Sequence, residues 1–311
     1  MWFKQAKLFQ LTDDSRYTST DLCKKLEGLV YQECLPFMPY GAGWVPLVDE
    51  GDAPLVQAMN GYFMICLQVE EKILPPIVVR QELLKKIKNI EALENRKVGP
   101  QERYNLKDEI TSTLLPRAFS KLTKVYAYID TKNNWIILGT ANAKKTEQFM
   151  SVFRKSFGDH MHPFQIKKLA VIMTSWLKHQ NYSSSFAVEK SCMLQDVNQQ
   201  SRVIRCKEQN LFASSIQTLI EDGCEAKQLA LTWHDCIDFI LSDDLSLQTI
   251  RFHDEIVMQS KEMEAGTKQQ QFNADFLIMT ETLAGLLKDL LDLFVDSPAK
   301  NTIPAAQFAI V

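Results

Sequence analysis

Hydrophobic and polar positions follow two different periods along this chain. Over the first seventy residues, short strand-like runs flank one helix, for which Ser19, Thr20 and Asp21 offer an N-cap and Leu22, Leu26, Leu29 and Val30 recur at helical spacing. Gly41, Gly43, Pro46 and Gly51 mark a turn-rich stretch, and Tyr62 to Val69 is a compact apolar run that reads as a strand. From Pro75 and Pro76 the period lengthens. Val79, Leu83, Ile87, Ile90 and Leu93 form an apolar stripe about six turns long, and at about 100° per residue Lys85, Lys88 and Arg96 lie opposite it, facing outward. Gly99 and Pro100 end that helix. A second runs from about Glu102 to Ser120, bent near Pro116. The pair is too thin to form a large core, so a helical hairpin projecting from the body is expected.

Alternation then returns. Val125, Ala127 and Ile129 against Tyr126 and Tyr128 predict a strand over 123–130, paired as a hairpin with Trp135 to Leu138. Asn142 caps a helix through Phe157 that Gly158 ends. Further strands are expected at 186–194, 202–207, 227–233, 236–241 and 246–252, the last three as an antiparallel meander, with a helix over 211–222. A final helix over 273–295 carries Leu283, Leu286, Leu287, Leu290, Leu291 and Phe294 on one face, which either covers the meander or mates with a second copy. The fold class is α+β.

The 311 residues are 46% hydrophobic, enough for a packed core and for two or three compact units. No run of about 18 uncharged apolar residues exists, and the amino terminus lacks a signal-peptide pattern, so a soluble, cytoplasmic protein with no membrane partner is expected. Seven scattered cysteines without a Cys-x-x-Cys pair read as reduced thiols. The net charge is only −3, but residues 72–155 hold 17 basic and 8 acidic side chains, whereas the other positions hold 18 and 30. That polarity points to one oriented surface for a polyanion.

Motifs for nucleotide hydrolysis, dinucleotide binding and covalent catalysis are absent, and no cofactor is expected. His160 and His162 are too few to hold a metal and read as a loop beside Pro163; Asp243 and Asp244 read as turn residues. The enzymatic alternative is a Mg²⁺-dependent exonuclease built from Asp52, Glu70 and Lys72, with the Glu-x-Lys at a strand end. Against it stands phosphate binding by the outward cations of the hairpin, together with Arg103, Lys107, Arg117, Lys121 and Lys124, through counterion release and with little base readout. A third reading is a scaffold whose basic arm meets an acidic protein.

Blocks along nearly the whole chain resemble the recombination-associated RdgC family: Met1-Trp2-Phe3-Lys4, Gly43-Trp44-Val45-Pro46, Glu70-Glu71-Lys72-Ile73-Leu74-Pro75, Leu114-Leu115-Pro116-Arg117-Ala118-Phe119-Ser120, Val203-Ile204-Arg205 and Phe272-Asn273-Ala274-Asp275-Phe276 among them. The resemblance implies a bacterial, nucleoid-associated and non-enzymatic protein. It would bind double-stranded DNA without sequence preference as a ring-shaped homodimer, limiting the access of RecA and so modulating recombination and replication. Whether single strands are also held is left open. The implied architecture is a central mixed α/β region with antiparallel strands (1–74 and 123–170), a helical tip (75–122) and a carboxy-terminal α+β base for dimerisation (171–311). Carried over by position, Arg96 and Lys97 match basic tip residues, Phe119 an aromatic at the tip contact between protomers, and Arg205, Lys207 and Gln209 a polar strand end facing the hole. With Lys72, Lys85, Lys88, Arg117 and Lys121 they make up the expected DNA-binding set. Val98, Gly99, Pro100, Gln101 and Glu208 depart from the more basic family pattern, which implies fewer phosphate contacts there.

Overall fold

The computed structural model describes residues 2–12, 17–48, 53–164, 166, 168–263 and 267–296. The elements run in chain order as β1 (Ala6–Leu11), α1 (Ser19–Glu27), β2 (Tyr40–Val45), β3 (Val56–Met59), β4 (Tyr62–Ile73), α2 (Pro76–Glu94) and α3 (Pro100–Leu114). After a 3₁₀ turn at Leu115–Arg117 come β5 (Phe119–Asp130), β6 (Trp135–Leu138), α4 (Ala143–Phe157), β7 (Met161–Pro163) and α5 (Leu169–His179). The remainder comprises β8 (Phe186–Asp196), β9 (Val203–Cys206), α6 (Ser214–Glu221), β10 (Cys224–Trp233), β11 (Ile237–Ser242), β12 (Ser246–Phe252), α7 (Asp254–Glu262) and α8 (Lys268–Asp296). The α+β expectation holds.

The twelve strands among the described residues join one sheet, in the order β2-β4-β5-β6-β1-β12-β11-β10-β8-β9, with β3 beside β4 and β7 beside β1; each of these pairings is antiparallel. The sheet has an amino-terminal wing and a carboxy-terminal wing, and they meet along a narrow seam where Ala6 pairs with Leu247 and Lys7 with Ser246. Lys7 Nζ reinforces the seam by donating to Asp244 at 2.6 Å. Asp244 also accepts from the Ser246 amide and hydroxyl, the turn role its position suggested.

Side-chain alternation in β4 and β5 feeds two cores on opposite faces. Met64, Cys66 and Tyr128 face α5, α6 and α8, whereas Ile65, Leu67, Val125, Ala127 and Ile129 face α1 and α4. Phe149, Phe153 and Phe157 of α4 recur every four residues, so their rings stack along one helix face against Trp44. Helix α8 straddles the seam: Phe276 meets Tyr128 in one wing, and Asp289 accepts from the Trp233 indole in the other at 3.0 Å. Its leucines are buried in the same core as Leu229, Leu231, Phe239 and Leu241, so it covers the meander within its own chain.

Several expectations are corrected. The first helix is capped by Thr18, whose hydroxyl accepts from the Asp21 amide, and it stops at Glu27; Val30 bridges to Trp44 instead of continuing it. The glycine-rich stretch at 40–45 is a strand. Gly43 is required because a Cβ there would lie 2.4 Å from Tyr31 Cα, where the 30–31 segment crosses closely. The second arm helix ends at Leu114, and Phe119 opens β5, because Pro116 cannot continue the helix.

Candidate nucleic-acid interface

The hairpin of α2 and α3 leaves the body from the end of β4 and returns at the start of β5. Pro76 starts α2 with a preset φ, and its apolar stripe turns inward at Val79 and Ile87, with Leu83 and Ile90 half-buried. Ile87, Val98 and Leu106 form a small core between the helices, which Lys86 closes with an ion pair to Glu109 at 2.6 Å. The stripe fails at Leu93, 85% exposed, because Asn95 adopts a left-handed conformation (φ 49°) and ends the helix at Glu94.

That early end also corrects the placement of Arg96. It does not share the outward helical face of Lys85 and Lys88. It folds back, giving Nη1 and Nη2 to Glu102 at 2.6 and 2.7 Å and Nε to Glu94 at 2.6 Å. These carboxylates push its pKa further above the usual range, and three of its five N–H donors are committed. Lys85 is exposed and pairs with Glu82 at 2.7 Å; Lys88, Lys97, Arg103, Lys107 and Arg117 are exposed.

At the root of the hairpin, Phe119 stands opposite Ile73 across β5 and β4. Phe119 is 84% exposed and takes no part in the core. Lys121 is exposed and faces Glu71, which takes Lys144 Nζ and the Gln148 amide at 2.7 Å each; those donors hold its carboxyl below the usual range.

One residue further, Glu70 is buried. Its carboxylate accepts from the Ser120 hydroxyl, the Tyr31 hydroxyl at 2.7 Å and the Cys34 amide at 2.8 Å, which together pull its pKa to about 2. Lys72 Nζ lies 4.0 Å away with its side chain only 12% exposed. The carboxylate thus anchors the 31–34 segment to the β4–β5 ribbon. Asp52 lies outside the described residues. His160 and His162 flank Met161 of β7, and no three His, Cys, Asp or Glu side chains converge to hold a metal among the described residues.

Arg205 is exposed on β9 while Cys206 is buried; Lys207, Glu208 and Gln209 follow as exposed residues. Strand β9 forms the edge of the carboxy-terminal wing, so six strands stand between it and the β4–β5 ribbon's β5, a separation on the order of 30 Å. Within one chain the hairpin cations and the Arg205 group are therefore separate.

These features define a mixed α+β protein with a continuous antiparallel sheet and an exposed, cation-bearing helical hairpin. Comparison with known proteins gives its family. The family described as "Putative exonuclease, RdgC" matches residues 1–297. The recombination-associated protein RdgC of Yersinia enterocolitica is 35% identical over 295 residues, covering 94% of this chain and 97% of that protein; its counterparts in Yersinia pestis and Yersinia pseudotuberculosis match to the same extent. The chain belongs to the RdgC family. No described helix is long and apolar enough to cross a membrane.

Proposed function

We propose that this protein is a recombination-associated, sequence-nonspecific binder of double-stranded DNA that acts in the cytoplasm on the nucleoid as a homodimer closed around the duplex, limiting RecA access. The observation that carries the reading is the hairpin: Lys85, Lys88, Lys97, Arg103, Lys107 and Arg117 are exposed on an arm with little core to serve. Such cations meet phosphates and carry no base information. The proposed interface adds Lys121 and, from the second edge, Arg205, Lys207 and Gln209; Lys72 balances Glu70 instead. Two protomers in a ring would bring the two separated cation groups to one duplex, with 75–122 as the tip, 171–311 as the base and Phe119 in the contact between tips.

Binding without hydrolysis is favoured over the exonuclease reading because Glu70's oxygens are taken up by protein donors. The test is an anisotropy titration with unrelated duplexes. Reversing charge at Lys85, Lys88 and Lys97 should weaken all of them equally, and the closed-circle complex should outlast the linear one at high salt. Loss confined to one sequence, or Mg²⁺-dependent degradation abolished by Glu70→Gln, would overturn the proposal.

A further inference from the structure

We infer that a cavity beside the amino-terminal end of α4 seats a phosphate ester of a nucleotide unit, in an inference that rests on the nucleic-acid reading above. The cavity, of about 400 Å³, lies where β5 and the exit of β6 meet the segment leading into β1; Trp2, Lys4, Lys124, Tyr126, Thr140 and Lys145 line it. That volume is in the range of small-ligand sites. Its walls are fixed by hydrogen bonds of the backbone amides: the Gly139 amide donates to the Tyr126 carbonyl at 2.8 Å, and the Ala141 amide donates to the Gln5 side chain at Oε1 at 3.1 Å.

The charge arrangement points to an anion. A fifteen-residue helix begins here, with no acidic residue in its first turn and two lysines at the end where the backbone dipole disfavours cations. Lys144 is neutralised by Glu71 at 2.7 Å. Lys145 has no carboxylate partner among the described residues, and neither does Lys4 across the cavity. None of the lining residues is acidic. Two ammonium groups without a carboxylate partner thus share a concave wall beside the start of the helix, where Asn142 Oδ1 already takes the Lys145 amide at 3.1 Å, so the lysines are the groups that favour a phosphate there. Trp2, packed on Phe252 at 4.7 Å, and Tyr126 add apolar wall for the sugar or base.

The backbone itself is distorted at the same wall. Thr249, a β-branched residue, is held at φ 52° where β11 and β12 slip register, and it closes the cavity from the carboxy-terminal wing. The site therefore spans the seam between the wings.

The phosphate could be an internal phosphodiester of DNA or that of a free mononucleotide, and two measurements on the full-length chain separate them. In the first, duplex affinity is followed against salt for wild type, Lys4→Gln, Lys145→Gln and the double variant. One shared phosphate predicts that the double variant flattens the log–log slope by about 0.9 and each single variant by less, because the remaining lysine still meets the phosphate. In the second, thymidine monophosphate and inorganic phosphate are titrated against tryptophan fluorescence, with Trp2→Phe as the control that should lose the signal. Duplex binding with slopes unchanged by all three lysine variants, and no fluorescence response, would overturn the site and leave DNA binding standing. No duplex binding, with a mononucleotide response lost in Lys145→Gln, would overturn the DNA reading and establish the cavity as a free-nucleotide site.

Discussion

The sheet body buries Phe149, Phe153 and Phe239 at no more than 2% exposure between strands and helices, whereas the core between α2 and α3 is a small cluster of Ile87, Val98 and Leu106 with Leu83 and Ile90 packed on it. In the body, β1, β4 and β5 each feed two cores, and the larger core joins residues of both wings across the seam. In the hairpin, the small core is supplemented by surface ion pairs, Lys86 with Glu109 and Arg96 with Glu102. Exposed pairs contribute little. The same chain thus joins a deeply packed platform to an appendage with little buried apolar surface, the kind of element expected to open locally before the rest.

That contrast can be broken by substitution. The largest effect is expected from Leu283→Ala in α8, fully buried against the sheet: chemical denaturation should show a loss of about 2–5 kcal/mol. Ile87→Ala should leave the global midpoint nearly unchanged while amide exchange accelerates over 76–114. Uniform exchange through the whole chain would show that arm and body unfold together.

Glu70 sharpens the comparison at the junction. Its folded pKa, about 2 against an ordinary 4.5, is depressed, so its contribution is full above pH 4.5 and disappears as pH falls through about 2. The difference in urea midpoint between wild type and Glu70→Gln should therefore be constant near neutrality and shrink to nothing at the acid end; a difference that grew with acidity would contradict the anchor. The smallest effect belongs to Arg96→Ala. It should raise amide exchange around 94–102 at low salt, and added salt should erase the difference between variant and wild type.

Much of this was legible from periodicity because surface helices and half-buried strands must alternate their faces. The α2 stripe, the β5–β6 hairpin, the α4 cap at Asn142 and the meander all follow from such patterns. Elements with no free face were harder to see. Helix α5 buries Leu169, Ala170, Ile172, Met173, Trp176 and Leu177 around much of its circumference, and β1 sends Leu8 and Phe9 into opposite cores; neither shows a clean polar side. Strand β2 was hidden by glycines that serve a close crossing rather than a turn. The positions of hairpin cations could be read from spacing up to the point where Asn95 turned Arg96 out of register. The meeting of Lys4 with Lys145 leaves no local signal, since only the closed sheet brings those segments together.

The seam also sets an order of events during synthesis. Strand β1 can pair along one edge with β6 once Leu138 has emerged, and β7 then covers the Phe9–Leu11 portion of its other edge, but that second edge at Ala6 and Lys7 finds its partner only when β12 appears at Ser246. At ordinary rates of translation that rim stays open on the ribosome for on the order of ten seconds. Nascent chains arrested in that interval carry an unfinished strand edge, the kind that recruits chaperones or neighbouring copies.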